Sequence, residues 1–148
     1  MEKTKLRVAA YGRAEDQESA DYQMKLCVNS IKAHPDWILA GCYCDVGKCC
    51  FENQDELQKL LADCDAGLID LVYVRSMSRL ARNVKTMQKL LVSLKEMGIA
   101  VVFEKECVNT MTEAGEMFLK VLVEVAIQEA EEMEERMEIF EKAAASSV

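Results

Sequence analysis

Short apolar runs alternate with stretches of helical periodicity, and this alternation limits the fold more than any other feature of the sequence. The apolar runs are rich in β-forming residues and cover residues 6–11, 37–45, 68–74 and 99–103. Between them, apolar side chains recur at helical spacing over residues 20–33, 54–66 and 85–97. Strands that alternate with helices of this length form right-handed crossovers. The sequence therefore predicts an α/β fold with a mostly parallel sheet of four to five strands, flanked by helices.

A long final helix breaks the alternation. Residues 112–145 contain no proline, and their one glycine, Gly115, lies near the start. A helix of roughly 30 residues is about 45 Å long, which exceeds what a small domain can cover. Its apolar residues step by fours and threes, the a/d pattern of paired helices. They are Leu119, Val123, Ala126, Ala130, Met133, Met137, Phe140 and Ala144.

This pattern predicts two parts in the chain. Residues 1–112 form the α/β domain, and residues 113–145 form an oligomerisation helix whose first half packs on that domain. The second half is too polar on its other faces to pack there, and a lone helix needs tertiary burial. We therefore predict a homodimer through this helix. The predicted dimer seam comprises Ala126, Ala130, Met133, Met137 and Phe140.

Composition excludes several classes of protein. The chain has 148 residues, enough for one domain with a core, and a net charge of −8, which disfavours non-specific binding to nucleic acid. No apolar run approaches the roughly 20 residues of a membrane span, and the N-terminus lacks the apolar stretch of a signal peptide. We expect a cytoplasmic protein with no membrane partner.

The cysteines favour neither a disulfide framework nor a metal site. There are seven of them, an odd number, without a CxxC pair and with a single histidine elsewhere in the chain. We therefore expect reduced, mostly structural thiols, no metal and no cofactor.

A cluster of arginines and serines follows the third predicted strand. It reads Arg75-Ser76-Met77-Ser78-Arg79-Leu80-Ala81-Arg82-Asn83. Working residues of parallel sheets gather at the carboxyl ends of strands, so these arginines and Arg13 should face one crevice. Arginines there can bind a phosphate bidentately. The residues alone leave a second interpretation open, a solvated helix start whose arginines pair with nearby carboxylates.

Several motifs together resemble a known family. Tyr11-Gly12-Arg13 ends the first strand, Tyr43-Cys44-Asp45-Val46-Gly47 ends the second, and residues 76–83 read SxSRxxRN. With the long last helix, the chain resembles the N-terminal catalytic domain of the serine site-specific recombinases, the resolvase/invertase group. It is most similar to the large serine recombinases and transposon integrases, and the resemblance covers essentially the whole chain.

The resemblance implies a mechanism and a set of residues. In that family, a serine just after the YxR motif attacks a DNA phosphodiester and forms a 5′-phosphoserine, and an arginine cluster stabilises the developing charge. The positions of that cluster fall on Arg13, Arg79 and Arg82. The positions of supporting polar residues fall on Gln23, Asp45 and Ser78, the last of which stands where many members have aspartate.

The sequence departs from the family at the nucleophile. Glu15 occupies the serine position. A carboxylate is a poor nucleophile toward a phosphodiester, and its charge repels the anion that the arginines would hold. We expect Glu15 to form a salt bridge with Arg13 or Arg79. Ser19 lies four residues further on, where we expect it to be a helix N-cap rather than a substitute nucleophile.

The long helix and the loop after Gly47 also depart from the family. That loop lacks the family's arginine, and Ala130 replaces a glutamate that follows Gln128 by two residues in relatives. Carboxylates stand where relatives have basic residues that approach DNA: Glu129, Glu131, Glu132, Glu134 and Glu135. Phosphate neutralisation dominates affinity for DNA, so we expect this chain alone to bind duplex DNA weakly or not at all. We also expect no DNA-binding domain of the kind that follows in the family.

Three hypotheses remain at this stage. The chain is a recombinase domain that kept its fold and dimer helix but lost strand transfer, and it acts as an interaction module, with other recombinase subunits as candidate partners. Alternatively, it is an active site-specific recombinase or integrase with a non-standard nucleophile. The third hypothesis is an unrelated phosphate-binding or nucleotide-linked enzyme on a similar sheet.

Overall fold

Strands and helices alternate in the computed structural model as the sequence predicts. It describes residues 5–47, 54–81 and 84–146, with the backbone alone at positions 123, 126, 127, 129, 130 and 146. The elements are β1 (Leu6–Ala14), α1 (Gln17–Ala33), β2 (Trp37–Val46), α2 (Asp55–Asp65), β3 (Leu71–Val74), a 3₁₀ helix (Met77–Arg79), α3 (Val84–Glu96), β4 (Ala100–Phe103), β5 (Val108–Asn109) and α4 (Glu113–Ser146).

The strands form one five-stranded sheet in the order β2-β1-β3-β4-β5. The first three pairs are parallel, and β5 runs antiparallel to its neighbour β4. The predicted α/β class with a mostly parallel sheet is confirmed. The two residues of β5 are too few to carry a periodic signal in the sequence.

Two element boundaries differ from the prediction in ways that affect the site. β1 continues to Ala14 rather than ending at residue 11, because Arg13 and Ala14 still pair with Asp45 and Val46 of β2. The helix α1 begins at Gln17 rather than at residue 20, and its N-cap is Asp16, whose carboxylate accepts a hydrogen bond from Ser19 N at 2.7 Å. The prediction that Ser19 is the N-cap is therefore wrong, since an equally good capping residue precedes it by one turn.

Both faces of the sheet are covered by helices. Under α1, buried Val8 and Ala10 of β1 contact Cys27 and Ile31 of the helix. The other face carries the larger core, to which α2, α3 and the first half of α4 all contribute. Its largest buried side chains are Tyr11, Leu60, Leu80, Leu91, Leu94 and Phe103. The central strands β1, β3 and β4 are thus largely buried on both faces, as is typical of parallel sheets, whereas the edge strand β2 has exposed residues along one face.

The final helix α4 is divided along its length. Leu119 is buried, and Phe118 and Leu122 pack against the same core, whereas every side chain described from Glu131 to Ala145 is exposed. The packed part lies against α3, where Lys95 forms an ion pair with Glu116 at 3.0 Å. None of the helices in the described residues is both long enough and apolar enough to cross a membrane.

Asp45 fastens the start of α2 to the sheet. Its carboxylate is buried and accepts hydrogen bonds from the backbone N–H groups of Glu56 and Leu57 at 2.9 and 3.2 Å. The hydroxyl of Tyr11 donates a third, at 2.8 Å. The residue before the helix, Gln54, provides no side-chain cap. Asp45 of β2 therefore caps the N-terminus of α2, and the positive end of the α2 helix dipole stabilises the negative charge of its carboxylate.

We predict that Asp45→Ala lowers the free energy of unfolding by about 2–4 kcal/mol, because it removes three hydrogen bonds to a buried carboxylate and leaves amide donors of α2 unsatisfied. Urea denaturation followed by circular dichroism measures this loss. The control is Asp65→Ala at the other end of α2, where the exposed side chain should change stability by less than about 0.5 kcal/mol. Equal effects of the two substitutions would contradict the capping role.

Candidate active site

A crevice of about 730 Å³ lies at the carboxyl ends of the central strands. Three segments line it: the first turns of α1, the chain that leaves β3, and the turn that leaves β4. The lining residues are Ser19, Tyr22, Gln23, Arg75, Ser76, Ser78, Arg79, Glu104 and Lys105. The crevice therefore lies where the arginine and serine cluster was expected, and its described lining residues include three cationic side chains and one carboxylate.

Arg13 lies behind the crevice wall. Its side chain is 2% exposed, and its Nε donates to the carbonyl oxygen of Arg79 at 2.9 Å while Nη2 donates to that of Ser78. In return, Nη1 of Arg79 donates to the carbonyl oxygen of Arg13 at 3.1 Å. The two arginines form a reciprocal clasp between the end of β1 and the 3₁₀ helix. The structure therefore brings Arg13 and Arg79 together, but the Arg13 guanidinium binds backbone carbonyl oxygens of the segment that forms the crevice wall.

Gln23 supports this clasp from α1. Its Nε2 donates to the carbonyl oxygen of Arg13 at 3.2 Å, and its side chain is largely buried. The amide fits because Gly12 has no side chain: a Cβ added there would lie 2.0 Å from Gln23 Oε1. No hydrogen-bond donor among the described residues reaches that Oε1 atom. The glycine of the YxR motif thus makes room for the glutamine that holds Arg13.

Two serines lie side by side in the crevice. The Oγ atoms of Ser76 and Ser78 are 3.0 Å apart, and either can donate to the other. Ser78 and the neighbouring Arg79 are exposed to solvent, and Ser76 is partly exposed. These hydroxyls can donate hydrogen bonds to an anion held by the arginines.

Glu15 lies outside this arrangement. It is exposed in the bend that follows β1, and it is not one of the residues lining the crevice. Within residues 5–47, 54–81 and 84–146, no ion pair joins it to Arg13 or Arg79, so the predicted salt bridge is wrong. The Arg13 guanidinium is instead buried and bound to the backbone carbonyl oxygens of Ser78 and Arg79, whereas Glu15 is exposed to solvent.

The turn after β4 brings acidic and basic groups to the arginine segment. Lys105 N donates to the carbonyl oxygen of Arg75 at 2.9 Å, and Glu106 accepts a hydrogen bond from Met77 N at 3.2 Å. The Glu104 carboxylate lies 3.7 Å from Arg75 Nε, at the long end of ion-pair distances. Sequence reasoning did not select Lys105 or Tyr22 as site residues, because the sequence pattern does not show that their side chains line the same crevice as the arginines.

Burial raises the pKa values of two groups near the crevice, the Cys27 thiol and the Tyr73 phenol, and keeps both protonated at neutral pH. Burial raises the pKa of Cys27 to about 12, although the charge of Arg75 opposes the shift. Burial, followed by a hydrogen bond with Glu104, raises the pKa of Tyr73 above its usual value. Since the thiolate is the reactive form of cysteine, Cys27 is not a nucleophile of this site.

The remaining predicted residues lie elsewhere or outside the described chain. Asp45 is in the core beneath α2 rather than in the crevice. Arg82 lies outside the described residues, as do the side chains of Ala126 and Ala130. In the part of the chain that the structure describes, no group of three or more histidine, cysteine, aspartate or glutamate residues is placed to hold a metal ion.

Comparison with solved structures shows the same architecture in recombinases. The N-terminal catalytic domain of TP901-1 integrase superposes with a TM-score of 0.74 at 25% identity, over 84% of this chain and 97% of that one. A resolvase family site-specific recombinase from Streptococcus pneumoniae gives a TM-score of 0.71 at 20% identity, over 97% of this chain and 99% of that one. The C-terminal catalytic domain of ISC1926 TnpA, an IS607-like serine recombinase, gives 0.60 at 18% identity, over 67% and 69%.

The sequence itself matches a family model. Among curated proteins, none matches the chain significantly. The model described as "Resolvase, N terminal domain" matches residues 7–147, which include all but the first residue of the sheet, the crevice and all of α4. The fold, the arginine and serine cluster after β3 and this match agree, and the chain belongs to the resolvase N-terminal domain family of serine recombinases.

Proposed function

We propose that this resolvase-type domain has lost strand transfer and acts as a dimerising interaction module. Glu15 is the observation that carries the proposal. Strand transfer by this family's mechanism needs a serine hydroxyl at the end of β1, close to the phosphate that the arginines hold. Here that position holds an exposed carboxylate outside the crevice. A carboxylate at this point neither attacks a phosphodiester nor tolerates one nearby.

The role of Arg13 supports the same conclusion. Its side chain is buried, and its donors bind the carbonyl oxygens of Ser78 and Arg79. A chain without recombinase activity would still need this residue, because the clasp holds the 3₁₀ helix against β1. The arginine motif can therefore persist for its contribution to the fold after the chemistry is lost.

The second half of α4 supports self-association. Met137 follows Leu119 after about five helical turns and therefore lies on the same face of the helix. Leu119 is buried in the domain, but Met133, Met137 and Phe140 are 61%, 56% and 74% exposed. Burying each of these large apolar side chains would contribute about 1.5–3 kcal/mol. A second copy of α4 offers the matching apolar face, and α4 of an active recombinase of the same family would offer a similar one.

Charge on α4 supports a protein partner over duplex DNA. Five glutamates follow one another closely on the exposed half of the helix, and all are exposed: Glu131, Glu132, Glu134, Glu135 and Glu138. DNA affinity depends on neutralising phosphates with lysine and arginine. In this proposal, the domain reaches DNA only through recombinase subunits with which it pairs.

One observation favours the alternative of an active recombinase with a non-standard nucleophile. Ser76 and Ser78 share a hydrogen bond inside the crevice, next to Arg79. A serine there would attack from the 3₁₀ helix rather than from the end of β1. The following experiment separates this alternative from loss of strand transfer.

We predict that the wild-type protein forms no covalent adduct with DNA, because the family's nucleophile is absent. The assay incubates the protein with radiolabelled supercoiled plasmids that carry genomic DNA flanking its gene, denatures the mixture and precipitates protein-linked DNA. An active serine recombinase on its own site is the positive control. An adduct whose DNA is attached to a serine peptide would refute the proposal, and its loss in Ser76→Ala or Ser78→Ala would identify the nucleophile.

We also predict that Met133→Glu combined with Met137→Glu converts a dimer into a monomer, because two carboxylates at the seam would have to be desolvated. Sedimentation equilibrium measures the mass. The matched control is Ile139→Glu, which makes the same kind of change at an exposed apolar residue on the opposite side of α4 and should leave the mass unchanged. A wild-type monomer, or a double variant that remains dimeric, would disprove association through this face.

A further inference from the structure

We propose that the crevice binds a phosphate monoester through Arg75, Arg79 and Lys105. This set overlaps the inherited arginine cluster only at Arg79. The inference rests on the proposed loss of strand transfer, because a crevice that no longer holds a phosphodiester for cleavage is open to another phosphate ligand. It differs in its residues from the site that the family resemblance implies.

The three cations converge on the crevice from two segments. Arg75 and Arg79 leave the end of β3, and Lys105 comes from the turn after β4, which is joined to the first segment through the backbone bond from Lys105 N to Arg75 O. The Arg75 side chain is 39% exposed, so it is accessible to a ligand. A doubly charged phosphate gains more from three nearby cations than a singly charged diester does. Arginines add bidentate hydrogen bonds to its oxygens.

The serine pair completes the set of donors. Ser76 and Ser78 line the same crevice, and in the free protein their hydroxyls are bonded to each other at 3.0 Å. Each hydroxyl can rotate to donate to a phosphate oxygen instead. Arg13 is not needed for such contacts, since its guanidinium binds backbone carbonyls behind the wall.

Glu104 sets the strength of this site. Its carboxylate lies in the crevice, 3.7 Å from Arg75 Nε, where it occupies the place of an anion. Both side chains are more than a third exposed, and such pairs contribute little to stability. A phosphate can therefore displace Glu104 from Arg75, but must do so against its repulsion. Removing the carboxylate should strengthen phosphate binding, whereas removing Arg75 should weaken it.

The acidic half of α4 argues for a small ligand or a free strand end. The exposed half of α4 carries several glutamates between Glu131 and Glu138, which would repel the phosphates of any duplex that reached them. A terminal phosphate monoester can enter the crevice alone. A free mononucleotide and the 5′-phosphorylated end of a strand carry this same group.

The test is equilibrium titration of the full chain at constant ionic strength, followed by calorimetry. The probes are inorganic phosphate, adenosine 5′-monophosphate, and one short single-stranded DNA with either a 5′-phosphate or a 5′-hydroxyl. We expect saturable binding of the phosphate-bearing probes and none of the 5′-hydroxyl strand. A higher affinity for the mononucleotide would identify a free nucleotide as the source, and a higher affinity for the phosphorylated strand would identify a strand end.

Variants test the residues that we assign. Arg75→Gln and Lys105→Gln should each weaken binding roughly tenfold, the loss expected for one charge-assisted contact. Glu104→Gln should tighten it, which a merely structural role of these residues would not produce. Lys59→Gln, on the exposed side of α2, is the matched control and should leave the affinity unchanged. Circular dichroism confirms that each variant is folded.

The results that would overturn the inference are specific. They are an absence of saturable phosphate binding, equal binding by the 5′-hydroxyl strand, unchanged affinity in Arg75→Gln and Lys105→Gln, or an equal loss in Lys59→Gln. A failure here is distinguishable from a failure of the proposed function, because a serine–DNA adduct refutes loss of strand transfer, whereas this titration measures reversible binding only.

Discussion

The buried guanidinium of Arg13 is the interaction on which the geometry of the candidate site depends. A charged group that is 2% exposed must be surrounded by hydrogen-bond partners, and the carbonyl oxygens of Ser78 and Arg79 supply them. The hydrogen bonds from its Nε and Nη2 atoms hold the 3₁₀ helix against the end of β1. The 3₁₀ helix held in this way forms one wall of the crevice, where Ser76 and Ser78 lie near Arg79.

Several residues that the family resemblance singles out have structural roles in this chain. Asp45 holds α2, Gln23 holds the Arg13 carbonyl, and Gly12 makes room for Gln23. Each contact is structural, so each can persist without catalysis. Retention of these residues is therefore consistent with loss of activity. Glu15 differs from them, since no side-chain hydrogen bond or ion pair joins it to another residue in the described part of the chain.

The final helix has a similar division of roles. Its apolar residues lie along one side of the helix. Among the described side chains, those around Leu119 are covered by the domain, whereas those further along are exposed. Beyond Glu131 the described side chains are exposed, and an uncovered stripe of methionine and phenylalanine favours a partner helix. The glutamates beside the stripe disfavour duplex DNA as that partner, because they repel its phosphates. Recognition by this chain would then be a matter of protein pairing more than of phosphate contacts with a duplex.

The sequence by itself determined the architecture. Hydrophobic periodicity predicted four of the five strands and all four α-helices of the described residues. Each of these elements buries an apolar face, so its apolar side chains recur at a spacing that the local sequence shows. It also identified the arginine segment after β3 and the departure at Glu15. Only the tertiary structure decided which side chains share the crevice. The Arg13 side chain is buried because its N–H groups donate hydrogen bonds to two carbonyl oxygens of another segment, and Lys105 and Tyr22 line the crevice together with Arg75 because the fold brings the turn after β4 and the start of α1 beside the end of β3. Such contacts join residues far apart in the chain, and no local pattern encodes them.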